Sequence, residues 1–222
     1  MSHREISTCR VDSACGRESG VALVMTMLLI GLLTALGLGL TMMSTVETWL
    51  SAGLRTSQEL SYAADAAVAR VQVDLAASSD WTSLLTAAQT APPSAFNDGI
   101  RLVTLADATV VDLDAETRAL QTATDDRCGS RAVNPNCPEW RLFAHAPIGG
   151  IVPGRLVNLP VYVAAWIADD PTDADGDAAS DSNGRLLIRA AAFGPRGARR
   201  SVDALVGRAG SAAQMLSWRE LR

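Results

Sequence analysis

The chain carries one long uninterrupted apolar run, Val21 to Met43, VALVMTMLLIGLLTALGLGLTMM, without a charged residue. A run of about 18 or more apolar residues is long enough to cross a bilayer as a helix. Its polar atoms are the hydroxyls of Thr26, Thr34 and Thr41, which bond back to helix carbonyls rather than face lipid alone. The run is apolar on every side, whereas a helix lying on a core shows a stripe. It reads as a transmembrane helix. Beyond it the pattern changes period without stopping. Val46, Leu50, Leu54, Leu60, Ala64, Ala67, Val68, Val71 and Leu75 recur mostly three or four residues apart, the spacing of one helix face. No proline occurs between Val21 and Ala91, so nothing forces a break. One long helix is predicted from Val21 to about Ala77. Residues 21–45 form its transmembrane half, and from residue 46 it lies amphipathically on a soluble domain.

After this helix the periodicity shortens. Ser79 or Asp80 caps a short helix through Ala88 with Trp81, Leu84 and Leu85 facing inward. Pro92-Pro93 and Asn97-Asp98-Gly99 mark a loop, placing a boundary between residues 46–98 and a β-rich domain of residues 99–222. Ile100–Leu105 and Thr109–Leu113 read as short strands, and Thr124–Pro138 as a polar loop. Trp140, Leu142 and Ala144 then alternate with Arg141, Phe143 and His145 along a further strand. Leu159–Ala168, LPVYVAAWIA, is nearly continuously apolar, the mark of a strand covered on both faces, with the long helix as one cover. Arg185–Phe193 and Ala198–Val206 pair across the turn Gly194-Pro195-Arg196-Gly197, with Asn183-Gly184 turning into the first of them. MLSWREL reads as an edge strand, with a helix turn as the alternative. The fold class is α+β, a long N-terminal helix packed on an antiparallel sheet.

Two stretches carry a family resemblance. GVALVMTMLLIGLLTALGLGL followed by LSYAADAAVARV resembles type IV pilin-like proteins, and more narrowly the PilX-type minor pilins, whose tail has a similar Ala-Ala-acidic-Ala segment. The C-terminal third, from Trp166-Ile-Ala-Asp-Asp-Pro through Gly-Pro-Arg-Gly-Ala-Arg-Arg, resembles the same group; residues 80–125 do not. The resemblance implies a leader peptide of residues 1–20, a prepilin peptidase cut between Gly20 and Val21, and a methylated Val21 as mature N-terminus. It also implies partners: other major and minor pilins, met through the N-terminal helix. The chain departs from the family pattern twice. Val21 stands where pilins usually begin with Phe, and Met25 stands where the fifth mature residue is usually Glu, the carboxylate that pairs with a neighbour's N-terminal amine. Tip-type minor pseudopilins also lack that carboxylate, which points to a tip or initiating position.

Charge adds orientation and excludes one class of partner. Arg4, Arg10 and Arg17 precede the run and Arg55 is the first basic residue after it, which favours the leader inside and the domain outside the inner membrane. An ordinary secretory signal has a shorter apolar core, and a lipoprotein cysteine follows its apolar run, whereas Cys15 precedes this one. With 19 basic and 24 acidic residues the formal charge is −5, which excludes the basic stripe that nucleic acid requires. The 222 residues leave, beyond the anchor, enough chain for one domain with its own core. Cys9 and Cys15 fall in the leader. Cys128 and Cys137 remain as an even pair in an exported domain, a disulfide closing a small loop; two free thiols or half a metal site are the alternative.

One constellation invites chemistry. Asp169, Asp170, Asp173, Asp175, Asp177 and Asp181 put six carboxylates into thirteen residues with no basic neighbour among them. Hard oxygen donors on a glycine-containing loop suit Ca²⁺. The spacing is not that of an EF-hand, since Gly176 falls two places early and Gly184 stands at the twelfth position. A solvated acidic loop, extended by repulsion, is the alternative. No nucleophile elbow, phosphate loop or His-Glu-x-x-His motif is present, and His145, the single histidine beyond the leader, reads as structural. No catalytic residue is assigned.

Overall fold

The computed structural model describes residues 15–129, 133–151 and 159–221; the readings on Arg4, Cys9 and Arg10 lie outside them. The chain divides after Gly53 into two compact units, and helix α1, Cys15–Ala77, belongs in part to each.

In the first unit, from Gly20 to Gly53, every residue of α1 is exposed. Its large apolar side chains from Val21 to Leu50 are 57–72% exposed, all round the helix. The hydroxyls close onto the backbone as their chemistry requires. Thr26 donates to the Leu23 carbonyl at 2.8 Å, Thr34 to that of Ile30 at 2.7 Å and Thr41 to that of Leu38 at 2.8 Å, so no polar atom of these side chains is left toward hydrocarbon. Among the described residues this is the one helix long and apolar enough to span a membrane.

The second unit begins at Leu54 and is organised by a five-stranded antiparallel meander. Its strands are β3 (Arg141–Pro147), β4 (Tyr162–Asp169), β5 (Arg185–Phe193), β6 (Arg199–Ala209) and β7 (Ala212–Leu221), in that order across the sheet. A small hairpin of β1 (Leu102–Thr104) and β2 (Val110–Asp112) stands apart. Every residue of β4 is buried, as its continuous apolar sequence predicts. Val163, Ala165 and Ile167 face one core with Leu186, Ile188, Val202 and Val206, and α1 covers them through Leu60, Ala64, Ala67, Val68, Val71 and Leu75. The alanines let the helix come close. At the β5–β6 turn a Cβ on Gly194 would meet Leu60 at 2.9 Å. Helix α2 (Trp81–Ala87) adds Trp81 and Leu85 to this core, and Asp80 caps it by accepting from the Thr82 N–H at 3.0 Å. Residues 99–222 therefore do not close this core alone; Leu60–Leu75 and Phe96 complete it.

The opposite face is covered by an element the sequence pattern did not predict. Helix α3 spans Leu113–Cys128, so the polar loop expected from Thr124 begins only after Cys128. Asp112 caps the helix, accepting from the Asp114 and Ala115 N–H groups at 2.9 Å each. Asp114 and Glu116 lie in its first turn and Arg127 in its last, each on the side that the helix dipole favours. Only Leu113 and Leu120 give it an apolar stripe; threonines supply the rest. Thr117 and Thr124 donate to carbonyls four residues back and accept the indole N–H groups of Trp166 at 2.7 Å and Trp140 at 2.8 Å. Period-based reading counts those threonines as polar. In place they are the hydrogen-bonded half of the helix–sheet contact.

A second correction concerns β3. Strict alternation fails between Leu142 and Ala144, where one extra residue bulges against β4. Leu142 pairs with Trp166, Ala144 with Ala165 and His145 with Ala164. Phe143 and Ala144 thus both serve the α1 face, while Trp140 and Leu142 serve the α3 face. The β5–β6 turn is held from outside. Arg196, with φ of 60°, donates its N–H to the Asp107 carboxylate of the β1–β2 turn.

Cys128, the last residue of α3, is disulfide-bonded to Cys137, with Cα atoms 5.8 Å apart. The bond ties the end of α3 to the segment entering β3. Closing so short a loop stabilises a domain by about 2–3 kcal/mol, chiefly through the unfolded state. We therefore expect reductant to lower the denaturation midpoint, and Cys128→Ser to reproduce the loss without reductant. Thiol alkylation of the native, non-reduced protein should leave both cysteines unmodified.

Candidate functional site

The acidic segment joins the end of β4 to the start of β5. It is folded rather than extended, and the six aspartates do different things. Asp169, the last residue of β4, is 2% exposed, Asp170 4% and Asp173 2%. Asp175 and Asp177 are exposed and Asp181 is half-buried.

Most of the carboxylates hold turns. Asp170 takes the Thr172 hydroxyl, with the Thr172 N–H at 3.3 Å. Asp173 binds both ends of the loop's return. Its Oδ1 accepts from the Ser182 hydroxyl at 2.6 Å, and its Oδ2 from the N–H groups of Ser182 at 2.7 Å and Asn183 at 3.1 Å. Asp175 accepts from the Asp177 N–H, and Asp177 from the Ala179 N–H, at 2.9 Å each. Asp181 Oδ1 accepts from the Gly184 and Arg185 N–H groups at 2.7 and 3.1 Å. Gly184 takes a φ of 70° to enter β5, a left-handed turn position that suits glycine. Turn formation of this kind is what aspartate does in loops.

Asp169 differs. Its Oδ1 is buried and has no hydrogen-bond partner. One carboxylate oxygen from each of Asp169, Asp173 and Asp181 lies within 4.8 Å of the other two. Of the six residues nominated from the sequence, the fold brings these three together. It leaves Asp170, Asp175 and Asp177 in their local turns. Burial pushes the Asp169 carboxyl up to about 7; a hydrogen bond from the Asp170 N–H opposes this, while the neighbouring Asp173, Asp175 and Asp181 push the same way as burial. Burial also raises Asp181, with Arg208 opposing. Asp173 is lowered below the usual carboxylate range, because its hydrogen bonds from Ser182 and Asn183 outweigh its desolvation. Oxygen donors of this kind fit a hard divalent cation, Ca²⁺ above all.

His145 sits in a separate, closed network. It is 1% exposed, and its Nδ1 lies 2.9 Å from Tyr162 Oη and 3.2 Å from Asp98 Oδ1. The single proton of Tyr162 Oη has two acceptors in reach, Asp98 Oδ1 at 2.9 Å and the Ile100 carbonyl at 3.2 Å. The His145 backbone takes up the same segment, donating to the Phe96 carbonyl at 2.9 Å and accepting from the Asp98 N–H at 3.1 Å. The network fastens residues 96–100 along β3. It stems from the bulge, which turns His145 toward Tyr162.

Burial depresses the His145 pKa; Asp98 and Asp114 oppose that shift and Arg101 adds to it. The unfolded chain therefore takes up the proton first as pH falls below about 6.5, and His145 subtracts stability on acidification. Asp169, raised above the unfolded value to about 7, acts in the opposite sense between about pH 4 and 7, and Asp181, also raised, acts in the same direction as Asp169. The His145 contribution is isolated by difference. The stability advantage of wild type over His145→Gln, measured by denaturant titration, should narrow from pH 7.5 to pH 5, at up to about 1.4 kcal/mol per pH unit. A constant difference across that range would assign His145 no proton-linked role.

No family model, curated protein or solved structure matches this chain, so its functional reading rests on its own residues.

Proposed function

We propose that this chain is a pilin-like assembly subunit, a minor pilin anchored in the inner membrane by α1 until it is drawn into a type IV pilus. One observation carries the reading. A single helix has two surfaces in succession: from Val21 to Met43 it is apolar and open on all sides, and from Leu60 to Leu75 a narrow Ala-rich stripe is buried against an antiparallel sheet. An open apolar helix rests in lipid. It also rests against other such helices, where small residues allow close approach. Gly31, Gly37 and Gly39 have nothing within 4 Å of an added Cβ, so the room for such neighbours is there.

The residues at the start of the run support the same reading. GRESG ends in Gly20 and the apolar run begins at Val21, the place where a prepilin peptidase would cut and a methylated N-terminus would follow. Met25 favours a tip or priming position over the shaft, because a subunit without the fifth-residue carboxylate lacks the partner for a neighbour's N-terminal amine. The same residue supports a second reading, a minor pseudopilin of a type II secretion system. Partners on either reading are other pilin-like subunits, met helix to helix.

Processing tests this. Mass spectrometry of the membrane or filament fraction should find Val21 as the first residue, methylated. Gly20→Val should leave the uncut precursor in the membrane, since a Cβ obstructs close backbone access at the scissile bond. An uncut wild-type chain in cells that process other prepilins would leave a single-pass membrane protein with an outward domain instead.

A further inference from the structure

The three aspartates gathered at the end of β4 pose a problem that the turn geometry does not solve. Carboxylates that hold turns are supplied with N–H donors, and Asp170, Asp173, Asp175, Asp177 and Asp181 each have at least one. Asp169 Oδ1 has none, although it is buried. The Asp170 N–H hydrogen-bonds the Asp169 carboxylate, but a buried carboxylate oxygen left without donor or counter-charge favours taking up a proton or a cation. The carboxylates nearest in effect to Asp169 are Asp173, Asp175 and Asp181, all of the same sign.

The basic groups nearby are engaged elsewhere. Arg208, whose charge is felt at Asp181, donates to the Ser79 carbonyl and lies 4.6 Å over the Trp81 ring. Arg141, buried in β3, pairs with Glu139 at 2.9 Å and reaches the acidic loop at the Ala178 carbonyl, while its buried Nε has no hydrogen-bond partner. Among the described residues, none of the recorded ion pairs includes Asp169, Asp173 or Asp181.

From the unpartnered Asp169 oxygen and the convergence of the three carboxylates, we propose that Asp169, Asp173 and Asp181 bind one Ca²⁺ ion. Three oxygens no more than 4.8 Å apart can all stand about 2.8 Å or less from one centre, close to the 2.3–2.6 Å of calcium–oxygen bonds. The hydrogen bonds already made do not disqualify Asp173 and Asp181, because an ionised carboxylate has about four lone-pair sites. Water completes the six to eight oxygens that the ion takes. The donor set contains no nitrogen or sulfur, so softer metals are disfavoured. Asp175 and Asp177, which alternate with Asp173 in sequence, are not ligands.

The site needs no part of the proposed assembly function, and its test is separate from processing. The full chain, purified in detergent with chelator and then dialysed, is titrated with CaCl₂ by calorimetry and melted with tryptophan fluorescence as the readout. Wild type should bind one Ca²⁺ per chain. Its melting temperature should rise by about 5–10 °C at a hundredfold excess over Kd, and excess chelator should reverse the gain. Asp169→Asn keeps the shape and removes the charge; Asp181→Asn also keeps the turn-forming Oδ1. Each should lose at least tenfold in affinity and most of the thermal shift. The double variant Asp175→Asn/Asp177→Asn should keep both. Superimposable melting curves in calcium and chelator would overturn the site. So would an unchanged response in Asp169→Asn and Asp181→Asn, or a response lost in the Asp175/Asp177 variant. Should Asp169→Asn fail to fold, Asp181→Asn alone decides.

Discussion

The domain depends on β4 being buried on both faces. All eight of its residues are inaccessible, and a strand in that position must have a layer on either side, or it leaves one apolar face in water. Helix α1 meets the need on one face and α3 on the other, and they do so by different chemistry. Against α1 the contact is wholly apolar, alanines and leucines on Val163, Ala165 and Ile167. Against α3 it is half polar, two indole N–H groups of Trp140 and Trp166 ending on threonine hydroxyls. Large aromatic residues bury much area, and their N–H groups then need acceptors. Thr117 and Thr124 supply these while donating their own protons down the helix.

That difference sets what a reader of the sequence can see. The α1 face was legible because its residues obey a period: the stripe from Leu60 to Leu75, the unbroken LPVYVAAWIA, and the paired runs on either side of Gly-Pro-Arg-Gly. The α3 face was not, because Leu113 and Leu120 are too few to register and the threonines between them count as polar. The signs at its ends were present, with Asp112 as cap, Asp114 and Glu116 behind it and Gly129 after the last turn. Capping chemistry would have found a helix that periodicity missed. The β3 bulge left no such sign, since Phe143 and Ala144 suit either face, and only pairing with β4 decides between them. The acidic loop was legible as composition. Which three of its aspartates meet depends on where β4 ends and β5 begins, a tertiary fact.

Helix α1 places two demands on one sequence. Up to Met43 its surface is apolar all round, built of leucine, methionine and valine with the threonine hydroxyls turned back onto the backbone. From Leu60 it approaches a sheet closely on one side, which favours alanine there; Tyr62 and Val73 face outward, and charge sits on the half-buried flank between. Arg70 and Asp74 pair at 2.9 Å one turn apart on that flank, and Asp74 also takes the Ser94 hydroxyl. Asp65 accepts the Trp218 indole N–H at 2.9 Å and Ser61 donates to Glu220 at 2.8 Å, both on β7. The edge strand is thereby drawn onto the helix. An edge strand with exposed Met215, Leu216 and Trp218 would otherwise offer its free side to further strands.

The acidic site is tied to this same framework. Thr82, in the first turn of α2, accepts from the Asp181 N–H at 3.0 Å and donates to its carbonyl. Trp81, beside it, is fully packed in the α1 core and donates its indole N–H to the Leu75 carbonyl at 2.9 Å. Asp169, at the other side of the cluster, is the last residue of β4 and pairs with Leu186 of β5. The cluster therefore joins three elements, the end of the buried strand, the start of its neighbour and the short helix that follows α1. Charge repulsion there works against this junction, and the calcium ion proposed above would draw the three elements together. The stability of the α1–sheet core and the occupancy of the site are then linked in both directions, since whatever binds only the folded loop favours the folded core.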